Sequence, residues 1–236
     1  MARSANLSSF RKGAMAGLAF GLIVSPFGVV FGVLATEAGL DVTQVLSFSL
    51  AVIAGAAQLT AIQLMVEEAP TIIILASALA VNLRLAMYSA TLVQHLGDAP
   101  LWHRVFCSYL LTDQSFAMSL DRYERHPELT MGEKLAFYYG VAVPTAMIWY
   151  VSSLAGGLIG SSLPSGYGLD FAIPITFLAL VTPMVRTLNH LAAAGAAIVV
   201  ALLLAGLPYN LGLLVAGLVG MMTGAQVEKM RSGDTA

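Results

Sequence analysis

The chain has 236 residues, of which 58% are hydrophobic and 10% charged, with a formal net charge of −2 at pH 7 and a mean hydropathy of +0.83. A soluble domain carries about 25% charged residues, so these charges are too few to cover a surface in water. The composition predicts an integral membrane protein. It contains no basic run of the kind that nucleic-acid binding needs, and the single cysteine excludes an internal disulfide.

Apolar segments of spanning length recur along the whole chain. A helix needs about 20 apolar residues to cross a bilayer core of about 30 Å. The segments lack the two-residue alternation of barrel strands, which predicts an all-α membrane protein with about eight transmembrane helices. A count of seven stays open, because "GLPYN" alone separates the last two segments. In chain order they lie near 13–35, 45–66, 70–93, 104–120, 135–158, 171–186, 190–206 and 208–225.

Lysine and arginine are distributed unevenly over the predicted loops. Eight spans with a cytoplasmic N-terminus place nine of these residues on the cytoplasmic side, Arg104 outside and Arg84 within the membrane. The positive-inside rule therefore favours eight spans, with both termini on the cytoplasmic side of a cell inner membrane. The chain then divides into an N-terminal segment (1–12), a transport domain (13–225) and a C-terminal tail (226–236).

A polar segment, "DRYERHPELTMGEK" at 121–134, divides the transport domain near its middle and predicts a cytoplasmic loop. The stretches "GLDVTQVLSF" at 39–48 and "GLDFAIPITF" at 168–177 share Gly-Leu-Asp followed by Phe at the same spacing. Both precede a predicted span on the outer side. Together these features suggest a parallel repeat of four plus four helices, a device common in transporters.

Helix-breaking residues lie inside several predicted spans. A proline removes a backbone hydrogen bond and kinks the helix, and in transporters such breaks often line the substrate site. The alternative is a packing kink, since proline and glycine are frequent in membrane helices. The candidate hinge residues are Pro26, Gly28, Gly32, Pro144, Pro174 and Pro183.

Two opposite charges lie at membrane depth. Arg84 lies about 14 residues before the centre of the turn "HLGDAP", and Asp113 lies about 14 residues after it. In an antiparallel helical hairpin they would therefore sit at nearly the same depth. An unpaired charge in the membrane is costly, so the sequence predicts an intramembrane ion pair.

The predicted pair has three interpretations. It is a fixed clasp between helices, or Arg84 binds a substrate carboxylate through its planar fork of donors, or Asp113 exchanges a proton as its partner changes. Three amides, Gln58, Asn82 and Gln114, are further candidates for substrate binding or ion coupling, although small residues and amides also pack neighbouring helices. Asn82 points away from Arg84 on a regular helix.

Motifs for enzymatic chemistry are missing from the sequence. It contains no G-x-x-x-x-G-K-[ST], H-E-x-x-H or G-x-S-x-G, and no Cys/His cluster with zinc spacing. The sequence therefore predicts a carrier without cofactor or metal rather than an enzyme.

Four motifs in order, "SPFGVVFG", "AGAAQ", "NLR" and "LLTDQSFA", resemble the large subunit of the AzlC-type branched-chain amino acid exporters. The resemblance extends from about residue 10 to residue 225. It implies a carrier, driven by the proton-motive force, that exports valine, leucine and isoleucine, and sometimes methionine. It also implies a small, four-span membrane partner of the AzlD type.

The chain departs from the family at two positions. The family often has Asp-Glu where this chain has Asp113-Gln114, and Arg-His where it has Arg84-Leu85. Losing a titratable group at each place puts the proton route and the substrate in doubt, but leaves the pair itself intact. Two other functions stay open: a carrier for a different small solute, and a membrane subunit that scaffolds or regulates a partner without transporting.

Overall fold

The computed structural model describes residues 2–162, 185, 187–206 and 211–233. The described residues form helices, and short turns join the consecutive helices from α1 to α7. The helices are α1 (Ala2–Glu37), α2 (Val42–Ala51), α3 (Gly55–Val66), α4 (Thr71–Leu96), α5 (Leu101–Tyr109), α6 (Asp113–Arg125), α7 (Met131–Ser162), α8 (Leu188–Leu203) and α9 (Leu211–Gly233).

The predicted all-α membrane fold is confirmed. Three of the described helices, α1, α4 and α7, are long and apolar enough to cross a membrane. The predicted polar segments are more helical than expected, because α1 begins at Ala2, α6 continues to Arg125 and α9 continues to Gly233. The sixth predicted span, 171–186, lies outside the described residues except for position 185.

The chain forms two compact units, of which the first comprises residues 1–63 and 78–165 and the second residues 64–77 and 166–236. Long helices α1 and α7 are the frame of the first unit and run parallel to each other. A Cβ at Gly13 would lie 3.1 Å from the Gly140 Cα, and a Cβ at Gly32 would lie 2.5 Å from the Gly157 nitrogen. Glycines are needed along this interface because the two backbones approach too closely for larger side chains.

The second predicted span, 45–66, consists of two short helices, α2 and α3, that form a hairpin. Asp41 caps α2 and forms a capping box with Gln44, which stabilises the first turn of the helix. The Gln58 amide nitrogen donates to the Ser49 hydroxyl at 3.4 Å, whereas nine residues of continuous helix would cover about 13.5 Å. The chain therefore reverses between α2 and α3, at residues 52–54.

The fourth predicted span, 104–120, is a second hairpin, formed by α5 and α6. The Tyr138 hydroxyl donates to the Cys107 carbonyl at 2.6 Å and accepts from the Ser115 hydroxyl at 3.4 Å. Eight residues of continuous helix would separate these two residues by about 12 Å, yet both reach one oxygen atom. The structure thus differs from the single crossing helices that the sequence predicted at both places.

Helices α4 and α6 run in the same direction, which fixes the side on which the second hairpin opens. Three contacts advance together along them: Arg84 with Asp113, Tyr88 with Phe116, and His95 with Tyr123. The Tyr123 hydroxyl also donates to the Lys134 carbonyl at 2.8 Å. The C-terminal ends of α4 and α6 and the start of α7 therefore share one end of the unit.

We call this end the basic end. Lysines and arginines of the first unit other than Arg84 belong to segments that begin or end there; they are Arg3, Arg11, Lys12, Arg104, Arg122, Arg125 and Lys134. The opposite end carries Glu37 and Asp41, at the turn between α1 and α2. Arg104, the one residue that the eight-span prediction placed on the outer side, lies at the basic end with the other cations.

Helices α1 to α6 form an inverted repeat of three helices. A long helix, a turn, a short helix, a break and a second short helix occur in α1–α3 and again in α4–α6, and α4 runs opposite to α1. The first hairpin consequently opens to the end that carries Glu37 and Asp41, and the second opens to the basic end. Inverted repeats of this kind are typical of secondary transporters. The predicted four-plus-four repeat remains a prediction, because its second copy, 168–177, lies outside the described residues.

Neither described proline among the candidate hinges interrupts its helix. Helix α1 continues through Pro26, and the Leu22 carbonyl, which loses its donor at Pro26, accepts from the Ser25 hydroxyl at 3.0 Å. Helix α7 continues through Pro144. Gly28 packs closely against Ser152 of α7, and Pro26 is exposed. Their role as hinges stays a prediction; Pro174 and Pro183 lie outside the described residues.

The second unit contains an antiparallel pair of helices, α8 and α9. A Cβ at Gly212 would lie 2.6 Å from the Leu204 carbonyl oxygen, and a Cβ at Gly224 would lie 3.1 Å from the Ala193 Cβ. Thr187 caps α8 by accepting a hydrogen bond from the His190 amide. Small residues again set the distance between the two helices.

Candidate functional site

The tip of the α5–α6 hairpin places Asp113 at the first turn of a helix. Thr112 has an extended backbone, with φ −135° and ψ 168°, and its hydroxyl accepts from the Ser115 amide. The Ser115 hydroxyl in turn accepts from the Thr112 amide at 2.9 Å. This reciprocal cap starts α6, and the positive end of the helix dipole stabilises the Asp113 carboxylate.

Asp113 forms an ion pair with Arg84, as the sequence predicted. The Arg84 Nη1 atom lies 3.0 Å from the Asp113 Oδ2 atom, and the two side chains are 27% and 43% exposed. Arg84 is 13 residues from the start of α4 and 12 from its end, so it lies about 18–20 Å from each end of that helix. The pair is therefore near mid-membrane and partly open.

Aromatic packing and a buried hydrogen-bond chain hold the pair in place. One helical turn beyond the pair, the Tyr88 and Phe116 rings stack with centroids 4.1 Å apart. Ser115 is fully buried and joins the hairpin to α7 through Tyr138. Arg84 and Asp113 are thus fixed by their supporting neighbours as well as by each other.

The tips of the two hairpins meet within the unit. The Tyr109 hydroxyl, at the end of α5, donates to the Leu50 carbonyl at 2.6 Å, near the end of α2. The same hydroxyl lies 3.0 Å from the Tyr150 hydroxyl on α7. A carbonyl freed at a helix end inside the membrane needs such a partner, so Tyr109 links the two repeats where their helices break.

The other predicted contacts do not all join the ion pair. Gln114 follows Asp113 in the first turn of α6 and is half-buried. Asn82 is half-buried on α4, and its Oδ1 atom is buried without a hydrogen-bond partner among the described residues. Gln58 is fully buried and bonds Ser49 within the α2–α3 hairpin. The structure therefore pairs Arg84 with Asp113, which Gln114 follows in the sequence, while Gln58 belongs to the other repeat.

A cavity of about 370 Å³ lies beside the second hairpin. It follows α5 from Leu101, at the basic end, to Leu111, which is two residues before Asp113. The lining is mostly aliphatic, and its full set is Ser89, Leu92, Val93, Leu96, Leu101, Arg104, Val105, Cys107, Ser108, Leu111 and Tyr138. Its volume is within the range of small-molecule sites, about 300–1,000 Å³.

Sequence reasoning missed the residues that build the hairpin tips, Thr112, Tyr109 and Tyr138. The pattern Thr-Asp-Gln-Ser is a helix-start signal and could have located the beginning of α6. The tyrosines gave no comparable signal, because their hydrogen bonds join distant parts of the chain. In the described part of the chain, no group of three or more His, Cys, Asp or Glu side chains could hold a metal ion.

Comparisons with known proteins identify a family for most of the first unit. The family model described as "AzlC protein" matches residues 19–163, a range that includes both hairpins and α7. Two curated relatives, each named "Uncharacterized membrane protein", come from Helicobacter pylori strains 26695 and J99. Each is 31% identical over 165 residues, which cover 69% of this chain and 70% of the relative. No solved structure matches the chain.

Proposed function

Because this chain belongs to the AzlC family of membrane proteins, we propose that it exports branched-chain amino acids, namely valine, leucine and isoleucine, and also methionine. The observation that carries the proposal is the Arg84–Asp113 ion pair at the tip of a half-membrane hairpin. A fixed structural clasp needs no exposure, whereas this pair is partly open at mid-membrane depth. Intramembrane charges of this kind mark substrate or ion pathways.

The chemistry of the pair fits an amino acid carboxylate. Arg84 presents a planar fork of five N–H donors, of which the ion pair uses Nη1, while Nε has no hydrogen-bond partner among the described residues. A substrate carboxylate would compete with Asp113 for the guanidinium. Once displaced, the Asp113 carboxylate would be without its counter-ion, and we assign proton exchange to this carboxylate. Substrate binding and proton uptake would then be linked at one residue.

Three further features belong to the proposal. The inverted hairpins supply two related elements that meet at the membrane centre, as alternating access requires. The positive-inside rule assigns the basic end to the cytoplasm, so that the N-terminus is cytoplasmic in an inner membrane; Lys229 and Arg231 place the C-terminus there as well. A small four-span subunit of the AzlD type is the proposed partner, which copurification of the two chains would test.

The test is efflux of labelled valine, leucine, isoleucine and methionine from preloaded cells that express the chain with its small partner. Arg84→Gln and Asp113→Asn should each abolish efflux, and a protonophore should abolish it in the wild type. The matched controls are Arg125→Gln and Asp121→Asn, which break an exposed Arg–Asp pair 2.8 Å apart on α6. These controls should keep efflux, since exposed pairs contribute only about 0–1 kcal/mol.

Exchanging the two charged residues distinguishes a role in transport from a purely structural role. The double variant Arg84→Asp with Asp113→Arg retains a pair and should restore membrane abundance if either single variant lowers it. Efflux should stay lost, because the cation then lies on the opposite helix. Recovery of efflux in the swap would reduce the pair to a clasp, and wild-type cells without efflux of any of the four amino acids would refute the exporter.

A further inference from the structure

The two ends of the cavity beside the second hairpin are lined by different side chains, and the end near the basic end carries a charge. Near the hairpin tip its wall is made by Leu111, Ser108 and Ser89, and towards the basic end by Leu96, Leu101 and Arg104. The long axis follows α5, which covers about 13.5 Å over nine residues. A small molecule can therefore lie along α5 with its apolar part against leucines and its polar end at the basic end.

Arg104 is the charged group of this wall. It is exposed and forms no ion pair with any residue that the structure describes. The neighbouring His103 is already engaged, since its Nδ1 atom lies 3.1 Å from the Tyr139 hydroxyl. A guanidinium at the mouth of an aliphatic cavity selects a ligand that has a carboxylate at one end and a hydrocarbon chain at the other.

We propose that this cavity is a loading site, in which an aliphatic amino acid pairs its carboxylate with Arg104 before it moves to Arg84. The proposal rests on the exporter function and assigns a second binding position to it. Ser89 is five residues from Arg84 on α4, about 7.5 Å along the helix axis, and Leu111 is two residues from Asp113. The cavity thus extends from the basic end to within about 7.5 Å of Arg84, measured along α4.

The native cysteine reports directly on occupancy of the cavity. Cys107 lines it and is the single cysteine of the chain. Membranes that contain the full chain and its partner are treated with N-ethylmaleimide, and the rate of alkylation is followed by the mass of the chain. Because Cys107 is 8% exposed, a second reporter is made in parallel as Ser108→Cys in a Cys107→Ser background; Ser108 lines the same cavity and is exposed.

Leucine and valine should slow alkylation at the reporter, while leucinamide, which lacks the carboxylate, should not. Arg104→Gln should abolish the protection and raise the KM for efflux with kcat unchanged. Arg125→Gln, which removes an exposed cation on α6 outside the cavity, should keep both protection and KM.

Four results would overturn the loading site. Alkylation at neither reporter would show that the cavity is closed. Equal protection by leucine and leucinamide, or protection that survives Arg104→Gln, would indicate an apolar pocket, such as one filled by a lipid chain. Wild-type efflux of leucine without any leucine-dependent protection would leave the exporter function standing and refute this site alone.

Discussion

The close approach of α1 and α7 predicts a large effect from one added methyl group. A Cβ at Gly156 would overlap the Val29 carbonyl oxygen and lie 2.9 Å from the Val29 Cα. The contacting atoms are backbone, so they cannot rotate away and the two helices must separate. Gly156→Ala should therefore destabilise the fold, although alanine alone favours a helix by about 1 kcal/mol.

The magnitude follows from overpacking in a closely packed interface, which costs about 1–3 kcal/mol. The matched control is Gly195→Ala on α8, where an added Cβ meets no atom of the described residues within 4 Å, so that only the helix preference changes. For a protein of this size, 1 kcal/mol corresponds to about 2–4 °C in Tm. The two variants should differ by several degrees, with Gly156→Ala below the wild type and Gly195→Ala at or above it.

Thermal unfolding of the detergent-purified protein, followed by intrinsic fluorescence, measures this difference. Efflux provides a second readout, because separating α1 from α7 also moves the helix that holds Tyr138. Equal Tm values for Gly156→Ala and Gly195→Ala would refute the inference that these backbones touch.

Three further predictions concern the hairpin tips and the basic end. Tyr109→Phe should lower Tm and slow efflux, because it leaves the Leu50 carbonyl unpaired inside the membrane at a cost of about 1–3 kcal/mol; an unchanged Tm would exclude the link. Thr112→Ala should destabilise by about 0.5–2 kcal/mol while Thr112→Ser does not, since serine keeps the cap; chemical denaturation of both variants decides. Hydrogen bonds from the Thr130 side chain and amide lower the pKa of Glu133. Glu133 therefore stabilises the start of α7 at pH values above its unfolded pKa of about 4.3, and this stabilisation is lost as the pH falls through the lower folded pKa. NMR titration should show the low pKa of Glu133 in the wild type and a higher pKa in Thr130→Val.

The Arg84–Asp113 pair could be predicted from the sequence because opposite charges at membrane depth need each other. The geometric argument behind it assumed one antiparallel turn between two crossing helices. In the structure the chain reverses twice between the two residues, and α4 and α6 run parallel. The pair was predicted correctly despite the wrong chain path, because an unpaired charge in the membrane is costly whichever way the chain connects the two residues.

The hairpins could not be read from hydropathy. An apolar stretch of about 20 residues has the same composition whether it crosses the bilayer or turns back at its middle. Residues 52–54 are Val-Ile-Ala, which carry no turn signal, and their reversal depends on tertiary contacts such as that between Ser49 and Gln58. At the tip of the second hairpin, Thr112 does carry a local helix-start signal. Arg104 was a further indication of this hairpin, because eight crossing helices would place it alone on the outer side, against the positive-inside rule.

Glycine and proline were assigned a role at the site because both residues interrupt helices in other transporters. Gly32 lies where α1 meets the backbone of α7, and α1 continues through Pro26, where the Ser25 hydroxyl donates to the Leu22 carbonyl; their role as hinges stays a prediction. Spacing alone cannot separate a glycine that allows close packing from one that allows a break, because both lack a Cβ.

The measurement that tests the account most directly is the sidedness of the turn before α5. In a Cys107→Ser background, single cysteines are placed at Asp41, Asp98 and Glu128, which are all exposed, and labelled with a membrane-impermeant maleimide. The two hairpins predict that intact cells label position 41 alone and that inverted vesicles label 98 and 128 together. Labelling of 98 and 128 from opposite faces would show that α5 and α6 cross the membrane, and would remove the half-membrane site on which the proposed mechanism rests.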